Sequence, residues 1–234
     1  MPKAEREKLR QTVLGIVDTA LSDASPSDAA AQRRIASLER LKARLNGAAM
    51  RGELIGHEAP AIEFTWASME PAPKSFADFK GKIVVVDFWA TWCGPCIAAF
   101  PKMAEKVERY KGLPVVVLGV TSIQGSHTNL RATDPKERRI DTRDDPAKEM
   151  ALMTPYMKEM GMTWPVVFSK QDVFNPDFGV NGIPHVAIID ASGKVRFNGL
   201  HPMNPEVEKR IDELLVEMGH TPPPKKSASA EPKN

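Results

Sequence analysis

Residues Ile83 to Cys96 read Ile-Val-Val-Val-Asp-Phe-Trp-Ala-Thr-Trp-Cys-Gly-Pro-Cys. The apolar, β-branched run Ile83 to Phe88, led in by Gly81-Lys82, predicts a strand buried on both faces. The Gly94-Pro95 pair then predicts a sharp turn into a helix. Both cysteines of the chain, Cys93 and Cys96, fall on that turn. The first N–H groups of a helix have no intrahelical partner, and with the positive end of the macrodipole they favour a negative charge. A thiolate, the reactive form of cysteine, is stabilised there.

On the C-terminal side, the helix is expected from about Pro95 to Tyr110, with a kink at Pro101 and a stop at Gly112. Leu113 to Val120 is a second apolar run, so strand, helix and strand form a βαβ unit with parallel strands. Thr121 to Asp145 is polar and charged and predicts an excursion on the surface. Ala147 to Met160 resumes helical spacing with Met150, Met153, Met157 and Met160, a stripe expected to pack in the core, although Pro155 should kink or split the helix. Trp164 to Phe168 is a short apolar piece. Val186 to Ile189 and Lys194 to Phe197 flank Asp190-Ala191-Ser192-Gly193 as an antiparallel hairpin. A last helix runs from about Asn204 to Met218, and the Pro-, Lys- and Ser-rich residues after it predict a disordered tail over 219–234.

On the N-terminal side, Leu54 to Phe79 carries three interrupting prolines and reads as a hairpin or edge strand around Ile62 to Trp66. Before it, two helices form a hairpin over residues 1–50. The first carries Leu9, Val13, Ile16, Val17, Ala20 and Leu21 on one face; the second runs from Asp28 to about Asn46 with Ile35, Leu38, Leu41 and Leu45. The hairpin reads as a packing appendage or dimerisation arm, or else as a membrane-surface or partner-specific helix pair.

At 234 residues the chain has room for one core domain and an appendage. Lys plus Arg at 32 against Asp plus Glu at 30 leaves a net charge of +2, which argues against a nucleic-acid partner. No run approaches the roughly 18 apolar residues of a membrane span. Val13 to Leu21, broken by Asp18, makes a poor signal peptide. The expected location is therefore cytoplasmic, unless a targeting segment lies outside this numbering. Two cysteines cannot complete a four-cysteine zinc site, so no metal site and no cofactor beyond a redox-active Cys93–Cys96 couple are expected.

Two residues between the sulfurs, on the first turn of a helix, bring both within bonding reach. Cys93, at the exposed end, is the expected nucleophile, with a pKa below the free value of about 8.5. Cys96, one turn further in and better shielded, would attack the mixed disulfide. Asp87 lies amid Val84, Val85, Val86, Phe88 and Trp89, so its pKa should rise and it can accept the Cys96 proton; the plainer reading is a strand-end aspartate bonded to backbone. The pair admits two other readings. A redoxin-type peroxidase resembles a Pro and a Thr seven and three residues before the reactive Cys, where this chain has Val86 and Ala90. In a Cu(I)-binding module Cys93 and Cys96 would hold the soft ion with methionine or His185. His127, His201 and His220 show no ligand spacing and read as surface residues.

Val-Asp-Phe-Trp-Ala-Thr-Trp-Cys-Gly-Pro-Cys resembles the active-site stretch of the thioredoxin family, and Pro101 falls at the family's distance from the second cysteine. Gly182-Ile183-Pro184 resembles the family's cis-proline loop facing the disulfide, with His185 where thioredoxin has threonine. Leu54 to Pro60, the Lys80-Gly81-Lys82 lead-in and the long segment before Pro184 are similar to the TlpA-like disulfide reductases. The resemblance spans about Leu54 to Met218. It implies an α/β thioredoxin-like fold, a central mixed sheet with helices on both faces, with the N-terminal hairpin outside it and an insertion around 121–165. It further implies a thiol-disulfide oxidoreductase, reducing by direction, with Trp92, Gly94, Pro95, Ile183 and Pro184 meeting the client. Its partners would be client proteins with disulfides and an upstream thiol electron donor, and its place the periplasm or cell envelope.

Overall fold

The computed structural model describes residues 2–224. Its N-terminal elements are helices α1 (Lys3–Ser22), α2 (Ala29–Asn46) and α3 (Ala48–Arg51) and strand β1 (Phe64–Ala67), followed by a 3-10 turn at Phe76–Phe79. Strand β2 (Ile83–Phe88), helix α4 (Gly94–Arg109) and strand β3 (Val115–Ser122) come next, then the short strands β4 (Ser126–Thr128) and β5 (Arg139–Asp141). The chain continues through α5 (Pro146–Glu159), β6 (Val166–Ser169), β7 (His185–Ile189), β8 (Val195–Leu200) and α6 (Glu206–Glu217).

Strand β2 lies inside a six-stranded sheet of order β1-β6-β3-β2-β7-β8. It runs parallel to β3 and antiparallel to β7, while β3 is parallel to β6. The antiparallel β1 and the β7–β8 hairpin complete a mixed sheet. Strand alternation divides the core into two layers. Ile83 and Val85 of β2, Val117 of β3 and Val186 and Ile188 of β7 face one layer, packed with Phe100 and Met103 of α4, Met153 and Tyr156 of α5 and Val207 and Ile211 of α6. Val84, Val86 and Phe88 face the other, which short helical pieces and irregular chain cover through Leu54, Phe76, Phe79, Val173 and Phe178.

Pro101 and Pro155 both sit inside continuous helices, so Pro155 does not split α5. Met153 of the methionine stripe is buried, and Met150, Met157 and Met160 pack partly against the same layer. The N-terminal hairpin buries part of its predicted face. Leu14 and Val17 of α1 meet Leu45 of α2, while Leu9 and Ile16 are exposed, Ile16 at 64%. Val13, Leu21 and Leu38 pack partly against this strip, and because two helices bury only the strip where they cross, Leu9 and Ile16 stay at the surface. Asp28 caps α2 through the N–H groups of Ala30 and Ala31. The hairpin is anchored next to Gly47, where a Cβ would come within 2.1 Å of the Pro176 carbonyl oxygen and so only glycine fits. Asp177 accepts there from the N–H groups of Ala48 and Ala49.

The segment Thr121 to Asp145 is not a pure surface excursion. Ser126, His127, Ala132 and Thr142 are buried, and β4 pairs with β5 as a small antiparallel ladder. The expected tail over 219–234 falls outside the described residues from 225 onward.

Candidate active site

Cys93 is the N-cap of α4, and Pro95 occupies its first turn, where a missing N–H removes nothing the helix needs. Cys93 and Cys96 are joined as a disulfide with their Cα atoms 5.3 Å apart. Cys93 Sγ accepts from the Cys96 N–H at 3.2 Å, so the helix terminus offers its free donor to that sulfur and not to Cys96. When the bond is open, the same donor and the helix dipole stabilise a thiolate on Cys93.

Cys93 does not lie at the exposed end expected for it. Cys93 is 3% exposed and Cys96 1%, because the cap residue sits within the apolar layer of Trp89, Ala90 and Phe100, and Ile183 packs against that layer. Accessibility therefore does not separate the two sulfurs; hydrogen bonding to the helix terminus does. Around them, Trp92, Gly94 and Pro95 are exposed, and Ile183 and Pro184 are half-buried. The Ile183–Pro184 bond is cis, and the Ile183 carbonyl oxygen lies 3.6 Å from Cys93 Sγ.

Asp87 sits on β2 between Gly119 of β3 and Val186 of β7, on the face that carries α4. It is 2% exposed, and its Oδ1 has no hydrogen-bond partner among the described residues. Burial pushes its pKa up to about 8. The plainer reading, a carboxylate bonded to backbone, finds no support at Oδ1. Gly119 is required by its neighbours, since a Cβ would meet Trp89 Nε1 at 2.9 Å and Trp164 Nε1 at 3.3 Å.

His185 faces Phe88 and shares a 2.9 Å hydrogen bond between its Nε2 and Asn198 Oδ1, so it is held away from a free role at the rim. Burial lowers its pKa. His127 is a second correction, being 4% exposed and packed edge-on against Tyr156 at 5.1 Å. His201 and His220 are exposed. Val86 and Ala90, the positions that matter for the peroxidase comparison, are both buried.

The sequence reading missed the residues that hold the rim. Trp92, 48% exposed, donates its indole N–H to Gln124 Oε1 at 3.0 Å and stacks on Phe174 at 6.4 Å. Gln124 in turn donates its backbone N–H to Glu149 Oε1 at 2.7 Å, and Thr142 Oγ1 donates to Glu149 Oε2 at 2.6 Å. Glu149 is buried in the first turn of α5. An acid near a helix start looks like ordinary dipole complementation, so nothing in the sequence set it apart.

A family model described as Redoxin matches residues 54–215. Thioredoxin-like protein YneN of Bacillus subtilis is 29% identical over 67% of this chain and 78% of its own length. Thiol:disulfide interchange protein HelX of Rhodobacter capsulatus is 29% identical over 72% of this chain and 81% of its own length. Among solved structures, a Bacteroides vulgatus protein described as a candidate thiol-disulfide oxidoreductase matches at a TM-score of 0.50 and 24% identity. That match covers 69% of this chain and 97% of that one, and it shows the thioredoxin-like fold.

Proposed function

Because the chain belongs to the Redoxin family, we propose that its thiol-disulfide oxidoreductase chemistry runs in the reducing direction, on disulfides of client proteins. One observation carries this reading: the Cys93–Cys96 couple caps α4, with Cys93 Sγ 3.6 Å from the Ile183 carbonyl oxygen before the cis Pro184 and both sulfurs in the core layer that Asp87 of β2 faces.

In the reduced protein the Cys93 thiolate attacks one sulfur of the client disulfide. A mixed disulfide forms and the other client sulfur leaves as a thiolate, which takes up a proton. Asp87, ionised in part near its raised pKa of about 8, accepts the Cys96 proton. The Cys96 thiolate then attacks Cys93 Sγ, the second client sulfur leaves, and the Cys93–Cys96 disulfide holds the two-electron oxidation. A dithiol donor must return those electrons. Trp92, Gly94, Pro95, Ile183 and Pro184 line the approach to the sulfur. Among the described residues no helix is long and apolar enough to cross a membrane. The resemblance to TlpA-like reductases supports a periplasmic or envelope location.

The test is a redox titration of the full chain, followed by Trp fluorescence, paired with trapping. A reductase should titrate near the thioredoxin value of about −270 mV rather than near the roughly −120 mV of strong oxidants. Cys96→Ser should accumulate a mixed disulfide with reduced-and-reoxidised insulin, and Cys93→Ser should not. A midpoint near the oxidant value, or trapping through Cys96 instead, overturns the reading.

A further inference from the structure

The insertion that carries β4 and β5 stands beside the active-site turn and leaves a cleft of about 430 Å³ between them, the size of ordinary ligand clefts. Trp92 and Gly94 of the active-site turn line it together with Gln124, Thr128, Arg138 and Arg139. No carboxylate lines it.

Four acids of the insertion have partners elsewhere, while Glu137 and Asp144 are exposed and do not line the cleft. Asp141 is held by Arg143. Glu149 is buried and bonded to Gln124 and Thr142, and Asp134 caps the Lys136 N–H. Arg131 pairs with Glu159. Arg138 and Arg139 are exposed, and among the described residues neither has an ion-pair partner within 4 Å. Arg138 and Arg139 thus line a cleft shared with Trp92 and Gly94 of the reactive turn, Arg139 also acting on Asp141, whose carboxyl it helps Arg143 to hold below the usual range. On the other side of the Trp92–Phe174 stack, Arg40 and Arg44 line a second groove, which holds Asp172. Guanidinium forks suit carboxylates, and a positive wall raises the encounter rate of a negative partner.

We propose that this cleft receives an acidic segment of the client chain that flanks the disulfide being exchanged, with Arg138 and Arg139 as the residues that select it. The proposal rests on the reductase reading above and names the client chemistry that reading leaves open. The two arginines are specificity residues and take no part in the bond exchange.

The experiment uses the reduced full-length protein and two synthetic peptides, each with one intramolecular disulfide, that differ only in Asp and Glu against Asn and Gln beside the cysteines. At low ionic strength the acidic peptide should be reduced about tenfold faster, the size expected for two exposed charge pairs. That ratio should fall towards one above ~0.15 M salt, where the Debye length is about 8 Å. Arg138→Glu with Arg139→Glu should bring the ratio to one or below, and the double Lys variant should keep most of it. Equal rates for the two peptides on the wild-type protein overturn the proposal, as does a tenfold ratio that survives charge reversal. Glutathione disulfide serves as a third substrate: if it alone shows the arginine-dependent advantage, the cleft takes a small anion and the peptide assignment fails. A wild-type protein that reduces none of the three, including the uncharged peptide, overturns the reductase reading itself.

Discussion

Asp87 on the sheet floor and Glu149 beneath the insertion are equally buried, each 2% exposed, yet they are held in opposite ways. Asp87 faces neighbours whose backbone groups are committed to the β2–β3 and β2–β7 ladders, and its Oδ1 has no partner among the described residues. Glu149 meets a backbone N–H outside any ladder and a hydroxyl, and each of its oxygens accepts one hydrogen bond. Burial without donors makes a carboxylate that prefers its proton; burial with donors makes a tie between segments. The first can pass a proton in catalysis, and the second fixes where Gln124, and through it Trp92, will stand.

The largest expected effect follows from Asp87. Its folded pKa of about 8 lies above its unfolded value of 3.8, so between those values the unfolded chain binds fewer protons than the folded one. Stability attributable to this group is therefore highest below pH 3.8, is lost as pH rises, and levels off above pH 8. Asp87→Asn mimics the protonated form without the titration. It should be more stable than wild type by about 4 kcal/mol at pH 7 and by almost nothing near pH 3.5, as read from denaturant melts. Equal stabilities at both pH values would mean that Asp87 has a partner after all, and the contrast with Glu149 would be gone.

Glu149→Ala should act in the other direction. It leaves the Gln124 N–H and the Thr142 hydroxyl unpaired, at a cost of roughly 2 to 3 kcal/mol, with Glu149→Gln recovering most of it. A smaller effect is kinetic. Asp87→Asn should slow the resolution of a mixed disulfide at pH 7 by at least roughly tenfold, because it removes the base that takes the proton of the buried Cys96 thiol. The deficit should shrink towards pH 9 when followed by quenched-flow trapping. A rate unchanged at pH 7 would remove Asp87 from the proton path.

This contrast also marks what could be read from the residues alone. The floor was legible because strand periodicity, a Gly-Pro turn and a carboxylate in an apolar run are local patterns, and Ile83 to Cys96 holds all of them. The rim was not. Thr121 to Asp145 looks like solvated chain because its buried members, Ser126, His127 and Thr142, are polar, and polar residues are buried only where tertiary partners satisfy them. The groups that meet them, Glu149 by a hydrogen bond to Thr142 and Tyr156 by an edge-on ring contact with His127, lie on α5, a separate element, and no spacing rule links them to the insertion. The exposure of Cys93 was misjudged for a related reason, since the loop at Ile183 approaches it from 90 residues away.

The smallest effect is the most selective test of whether floor and rim are separate. Gln124 donates from Nε2 to Ser122 at both its carbonyl and hydroxyl oxygens, and the Ser122 hydroxyl accepts from the Val173 N–H. Val173 precedes Phe174, which stacks on Trp92, so the indole is held from two sides by one closed circuit. Gln124→Ala removes the side-chain bonds and leaves the backbone N–H to Glu149 intact. The loss in stability should be about 0.5 to 1 kcal/mol, because the bond to Trp92 is exposed and water replaces it. Trp92 should move more freely on its remaining contact, seen as a faster component in fluorescence anisotropy decay, with the signals of the buried Trp89 and Trp164 unchanged. The fall of stability between pH 4 and 8 should match wild type in slope, since changes at sites without shared partners add. A slope altered by Gln124→Ala would mean that the rim restrains the medium around Asp87, and the two buried carboxylates would then belong to one coupled system.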